Sequence, residues 1–287
     1  DNMQIIIITG FAGAGKSTAL KILEDSGYLC VDNLPPPLLI QLIELYSLSS
    51  KINQIAVSVD TRSYSLLRQL PNVITNLASL NIPVKIIFLD ARVDALINRF
   101  SETRRKHPLS SNTKTIYDCI KEEQELLSVM ASISHRIDTS DLTANQLRAI
   151  IKQFVNADYS QLNVIFQSFG FKYGLPIDSD FVFDVRCLPN PHHDKSIRDF
   201  NGTQTQIIEY LNKQPKVQNM INDINNFLKT WLTDFSLDNR SYVTVSIGCT
   251  GGKHRSVYIC ESLANLTQKL GYKTIIRHRH INHLENN

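Results

Sequence analysis

Gly10, Phe11, Ala12, Gly13, Ala14, Gly15, Lys16 and Ser17 fit the pattern G-x-x-x-x-G-K-[ST] at every fixed position. The chemistry served by this spacing is phosphate binding. The glycines let the chain curl until successive N–H groups point inward at an anion. A helix beginning near Ser17 aims its positive end at the same place. Lys16 is spaced to reach the outer phosphates of a nucleoside triphosphate, and the Ser17 hydroxyl to ligate Mg²⁺. An acid at a strand end completes such a site. Asp60, after the apolar run 55–59, is preferred to Asp90, after 86–89, because Thr61, Arg62 and Ser63 follow it with further phosphate- or base-binding groups. Asp32 and Asn33 make a third polar strand end, and ligands of open α/β sheets bind at such ends. Lys16, Ser17 and Asp60 are the expected catalytic residues, with Ser17 and Asp60 at the metal. Arg99, Arg104, Arg105 and Lys106, followed by His107 and Pro108, read either as a lid that closes over phosphate or as a solvated basic helix end.

A second glycine-rich turn stands late in the chain: Gly248, Cys249, Thr250, Gly251, Gly252, Lys253, His254, Arg255 and Ser256. A β-branched run precedes it and a helical pattern follows. Three cationic side chains crowd a helix N-terminus, which favours an anion. His192 and His193, in a turn-rich stretch, are candidates to line the same pocket. Cys249 and Arg255 also satisfy C-x-x-G-x-x-R-S, the spacing of cysteine-dependent phosphatases, in which a thiolate attacks phosphorus. Asp180, Asp184, Asp194 or His192 would then have to protonate the leaving group. Lys269, Lys273, Arg277 and Arg279 make a basic stretch suited to a nucleic-acid backbone, or to a solvated strand end.

The elements that must position these groups follow from periodicity. Strands are expected over 4–9, 28–31, 54–59, 84–89 and 136–139, with helices over 17–25, 38–46, 115–133 and 144–155. Alternating strands and helices imply a parallel, doubly wound sheet. A new pattern starts near 158: strands over 162–169, 181–186, 242–247 and 272–276, and helices over 205–211, 217–233 and 257–270. The expected fold class is α/β, with a P-loop NTPase (kinase-like) parallel sheet over 1–157 and a second α/β domain over 158–287.

Composition sets bounds. The chain has 287 residues, 43% hydrophobic and 20% charged, with a net charge of +3, enough apolar content for a core in each of two domains. That charge permits a phosphate-rich partner without demanding one. No apolar run is long enough to cross a membrane. Cys30, Cys119, Cys187, Cys249 and Cys260 include no C-x-x-C pair, and residues 1–4 lead straight into a strand without a basic leader. A cytoplasmic location is expected.

Taken together, the P-loop, the stretch 23–35, Asp60 to Ser63, 103–109, 181–186, 188–192 and 248–257 resemble the RapZ/YvcJ family of bacterial nucleotide-binding proteins. The resemblance spans nearly the whole chain. It implies binding and modest hydrolysis of ATP and GTP, with ATP on Gly10 through Ser17 and GTP contacts at Asp60, Thr61, Arg62 and Ser63. It implies an RNase adapter, a homo-oligomer that binds a small regulatory RNA and presents it to RNase E. That role tunes synthesis of glucosamine-6-phosphate synthase, with glucosamine-6-phosphate sensed by the C-terminal domain. Cys249, Thr250, Gly251, Gly252, Lys253, His254, Arg255 and His192 would form the amino-sugar phosphate site, and RNA contacts fall from Lys269 onward. The enterobacterial members end in a Lys/Arg-rich tail, whereas this sequence closes on Glu285, Asn286 and Asn287; fewer released counterions imply weaker RNA binding. Two rival readings stand beside this one: a P-loop small-molecule kinase, and a binding adapter whose nucleotide site does not turn over.

Overall fold

The computed structural model describes residues 3–47, 52–157, 161–237 and 240–281, without the side chains of Ser63 and Tyr64. The closing residues Glu285, Asn286 and Asn287 lie outside the described residues. The chain divides into two compact units, Asp1–Lys152 and Gln153–Asn287.

In the first unit, β1 (Gln4–Gly10) is a β-branched run in which Ile5 to Ile8 are each no more than 1% exposed. Such a strand suits only the centre of a sheet covered on both faces. There follow α1 (Lys16–Glu24), β2 (Leu29–Val31), α2 (Leu38–Ser47), β3 (Gln54–Ser58), α3 (Tyr64–Leu67), α4 (Leu70–Ser79), β4 (Val84–Asp90), α5 (Val93–Thr103), α6 (Ile116–Ile133), β5 (His135–Asp138) and α7 (Ala144–Asn156). The strands form one parallel sheet in the order β2-β3-β1-β4-β5. β1 is central, so its carboxyl end delivers residues 10–17 to the middle of the sheet's edge. The carboxyl ends of β2 and β3 bring Asp32 and Asp60 beside them. Thr115 caps α6 with a reciprocal bond to Asp118, which fixes where the loop after α5 ends.

The second unit holds β6 (Asn163–Gly170), β7 (Phe181–Asp184), α8 (Thr205–Asn212), α9 (Pro215–Leu237), β8 (Tyr242–Cys249), α10 (Arg255–Lys269) and β9 (Lys273–His278). Its parallel sheet runs β7-β8-β6-β9. Phe166, Val243, Val245 and Ile247 pack against Leu228, Leu232, Ile259 and Leu263 to form its core.

Candidate functional site

The phosphate loop joins β1 to α1. Gly10 lies so close to β4 that a Cβ there would stand 2.1 Å from the Leu89 carbonyl oxygen, and its φ of +134° suits glycine alone. The N–H of Phe11 donates to Leu89 O at 3.1 Å, which ties the turn to the strand. No side chain caps the start of α1, so its first amides keep their capacity for an anion. Lys16 folds back, its Nζ donating to the carbonyls of Gly10 at 2.8 Å and Phe11 at 3.0 Å. Loss of surrounding water pulls the Lys16 pKa below the usual lysine value, while Glu123 and Asp60 act in the opposite direction.

At the neighbouring strand ends, Asp60 is engaged by Arg62: Nε donates to Oδ2 at 2.8 Å, Nη2 at 2.6 Å, and the Arg62 backbone N–H to Oδ1 at 2.8 Å. Asp32 accepts from the Ser58 hydroxyl at 2.5 Å and lies 3.9 Å from Arg62 Nη2. Asp90, the other acid weighed for the metal, is paired with Arg136 and does not line the cavity at the loop. Desolvation raises its pKa. The side chain of Ser63 lies outside what the structure describes.

Of the basic cluster in and after α5, Arg99, Arg105 and Lys106 line the cavity with Phe100 and Pro108. Arg99 also clamps the base of the loop, donating to Gly13 O at 3.0 Å and Thr139 O at 2.5 Å. Arg104 is absent from the lining and terminates α5 in the left-handed conformation, φ 53°. Behind the loop sits a group not singled out by sequence. Glu123, fully buried on α6, accepts the Ala12 N–H at 3.1 Å, the Thr61 hydroxyl at 3.0 Å and His107 Nε2 at 3.0 Å. One carboxylate thus joins the phosphate loop, the segment after β3 and the basic loop.

Two cavities flank the phosphate loop. One, of about 520 Å³, is lined by Lys16, Ser17, Asp32, Asp60, Thr61, Arg62, Arg105 and Lys106 among others. The other, of about 240 Å³, lies on the far side, against Leu142, Ala144 and Leu147.

The second unit has its own pocket, about 420 Å³, lined by Cys249, Thr250, Gly251, Lys253, His254, Arg255 and His192. Lys172, Tyr173, Arg198 and His280 join them there without having been expected from sequence. Gly252, at φ +71°, lets the turn rest on β6: a Cβ would stand 2.6 Å from Gly170 N. The cations are partly committed. Arg255 Nη1 donates to the carbonyls of Arg186 at 2.7 Å and Leu188 at 2.9 Å. Lys253 Nζ and His254 Nε2 both reach Arg198 O, at 3.3 and 2.9 Å. Cys249 Sγ lies 3.1 Å from Ser256 Oγ.

Residues 3–159 match the RapZ-like N-terminal domain and residues 162–282 the RapZ C-terminal domain. The chain belongs to the RapZ family. It is 49% identical over 277 residues to a nucleotide-binding protein of Methylobacillus flagellatus, covering 96% of this chain and 98% of that one. It is 50% identical over 279 residues to a nucleotide-binding protein of Aromatoleum aromaticum, covering 96% and 94%. Among solved structures, an unliganded sugar kinase from Janibacter aligns with 54% of this chain and 95% of its own, at 14% identity and a TM-score of 0.39.

In this RapZ-family chain the basic stretch expected at RNA divides. Lys269 and Lys273 are exposed. Arg277 and Arg279 are 6% and 4% exposed, and Arg279 Nη1 reaches Gln167 Oε1 at 3.4 Å. These two arginines correct the surface reading: both are buried within the unit, beside β6. Among the described residues no three His, Cys, Asp or Glu side chains gather as a metal site, and no helix is long and apolar enough to cross a membrane. Mg²⁺ takes few protein ligands and completes its shell with water and phosphate oxygens. The exposed Ser17 hydroxyl and the Asp60 carboxylate are hard oxygen donors of that kind on one cavity wall. They would hold the ion, which neutralises charge on the phosphate oxygens when bound.

The family pocket also carries a pH dependence. Desolvation pulls the His254 pKa below the ordinary histidine value, with Lys253 and His192 adding to it and the Arg198 carbonyl opposing. The unfolded chain then binds the proton more tightly than the folded one. Stability of the second unit is therefore expected to fall as pH drops below about 6.5, the unfolded histidine value. Urea melts followed by the fluorescence of Trp231 check this, and His254→Gln should flatten that part of the profile.

Proposed function

We propose that this chain is a nucleotide-responsive regulatory protein. The N-terminal unit binds ATP or GTP with Mg²⁺ and hydrolyses it slowly, and the C-terminal unit binds a phosphorylated amino sugar. The observation that carries the first part is the loop between β1 and α1, with Lys16 beside uncapped helix amides. Asp60, Thr61 and Arg62 line the same cavity as Lys16. The relatives named nucleotide-binding proteins support the same reading. For the second part the support is a pocket that unites a glycine-rich turn, Lys253, His254 and His192. Glucosamine-6-phosphate offers such a pocket both an anion and hydroxyl groups. Arg255, with Nη1 held by two carbonyls, favours this binding role over the cysteine-phosphatase reading, which needs the guanidinium on phosphorus.

Membership of the RapZ family supports the finer role of an adapter that presents a small regulatory RNA to RNase E and so sets glucosamine-6-phosphate synthase levels. The exposed Lys269 and Lys273 are the cations left to meet phosphate there.

Isothermal titration tests the nucleotide reading. Lys16→Ala is expected to weaken ATP binding at least about 100-fold, because the lysine is the one fixed charge of the loop itself and charge-assisted bonds to phosphate are the strong ones. Unchanged affinity in that variant would refute the reading. Filter retention of labelled RNA across a salt series tests the adapter role, with Lys269→Ala and Lys273→Ala expected to flatten the salt slope.

A further inference from the structure

The two cavities beside the phosphate loop differ in chemistry. Both touch Gly13, Gly15, Thr18 and Arg99, so both open onto the same phosphate path. The smaller is walled by Leu142, Ala144 and Leu147, surfaces suited to a flat base. The larger, about 520 Å³, extends the other way, to the ends of β2 and β3. A nucleotide that lays its base against Leu142 and its phosphates along the loop leaves the far part of the larger cavity for a second molecule.

That far part has the groups for an acceptor. Two carboxylates line it, Asp32 and Asp60. Asp60 is 8% exposed at its side chain and taken up by Arg62. Asp32 is 60% exposed and oriented from behind by Ser58, whose hydroxyl also accepts the Asn33 N–H at 2.7 Å. Glu123 is buried and does not reach the cavity. Asp32 is thus an accessible carboxylate, held by Ser58, on the wall of the cavity that Lys16 and Ser17 also line. The half-exposed Arg62 guanidinium stands beside it, and the exposed Arg105 and Lys106 line the same cavity.

We infer that the N-terminal unit transfers the γ-phosphoryl group of its nucleotide to a hydroxyl of a small polyol that carries a phosphate or carboxylate group. This rests on the nucleotide reading above and goes beyond it by naming the acceptor. The acceptor oxygen forms a bond to the γ-phosphorus while the bond from that phosphorus to the β,γ-bridging oxygen breaks. The nucleoside diphosphate leaves with the bridging electron pair, and the hydroxyl proton passes to Asp32. Arg62, Arg105 and Lys106 hold the acceptor's anionic group. Slow hydrolysis is the same transfer with water in the acceptor's place.

The test uses the full chain with Mg²⁺ and ATP labelled at the γ-phosphate. Separate arms contain glucosamine-6-phosphate, fructose-6-phosphate, gluconate, or the small-molecule fraction of a bacterial extract. Products are resolved by thin-layer chromatography. Label in an organic product is expected in at least one arm, the sugar phosphates and gluconate separating the two kinds of anionic group. Asp32→Asn should lower that transfer by about 100-fold or more, the usual contribution of a general base, with ATP affinity within about threefold by titration. Arg62→Ala should raise the acceptor KM. Label found only in inorganic phosphate in every arm, from protein that binds ATP, would overturn the inference, as would full transfer by Asp32→Asn. Failure of the wild-type chain to bind ATP would instead refute the nucleotide reading, so the two failures are distinct.

Discussion

Replacing Glu123 by alanine is expected to destabilise the first unit by about 3–5 kcal/mol, the range seen when one partner of a buried charged network is removed. The reason is the number of donors that converge on one carboxylate. Ala12 N–H, the Thr61 hydroxyl and His107 would all lose an acceptor, the last two of them buried. Each buried donor left unsatisfied costs about 1–3 kcal/mol. A domain with total stability of about 5–15 kcal/mol would tolerate little more. Hydrogen exchange of residues 4–10 and 84–90, resolved by mass spectrometry, checks it: protection should fall throughout the central strands. Glutamine at 123 keeps one acceptor oxygen and should cost less. A loss under about 1 kcal/mol for the alanine variant would mean that water replaces the carboxylate and that the network is not structural. ATP affinity should fall with the same substitution, because Ala12 belongs to the phosphate loop.

That network also marks what could be read from the sequence and what could not. The phosphate loop was legible because its chemistry is contiguous: eight residues between a β-branched run and a helical pattern state their own geometry. Asp32 and Asp60 were legible as strand ends, since a parallel sheet collects such ends on one edge. Glu123 lies in an acidic stretch with Glu122 and Glu125, which reads as a solvated helix face. Yet the buried residues of α6 are Cys119, Ile120, Glu123, Leu127 and Met130. A carboxylate on the apolar stripe was the available signal, because only a satisfied charge can occupy that position. The helices α4 and α5 were not placed from sequence although their apolar residues keep a helical spacing: α4 buries Leu70, Val73 and Leu77, and α5 buries Leu96.

Arginine in β9 misled for a related reason. A basic run near the end of a chain reads as surface because long cations are seldom buried. Here Arg277, near the end of β9, and Arg279, just past it, are both buried, as is His280. Charge composition reports a tendency of the whole segment, whereas burial is decided position by position. Lys269 and Lys273, at a helix end and a strand start, are exposed.

Arg255 separates a scaffold from a ligand group, and its replacement by alanine is expected to have the second large effect. In the anion reading it was one of several cations at a helix N-terminus. The structure gives its Nη1 to the carbonyls of Arg186 and Leu188, with the residue 4% exposed. Those carbonyls belong to the segment that leads to His192, which lines the same pocket. Removing the guanidinium strands both acceptors, so the second unit should lose about 2–4 kcal/mol, read from urea unfolding followed by Trp231 fluorescence. Affinity for glucosamine-6-phosphate should fall with it, because the pocket wall is no longer held in place. Lysine should rescue little, since a single ammonium cannot reproduce the planar fork of the guanidinium. ATP binding by the first unit is the internal control and should not move. If alanine at 255 abolished sugar-phosphate binding while leaving stability unchanged, the guanidinium would be a direct phosphate ligand. The carbonyl bonds would then describe only its position before the ligand arrives.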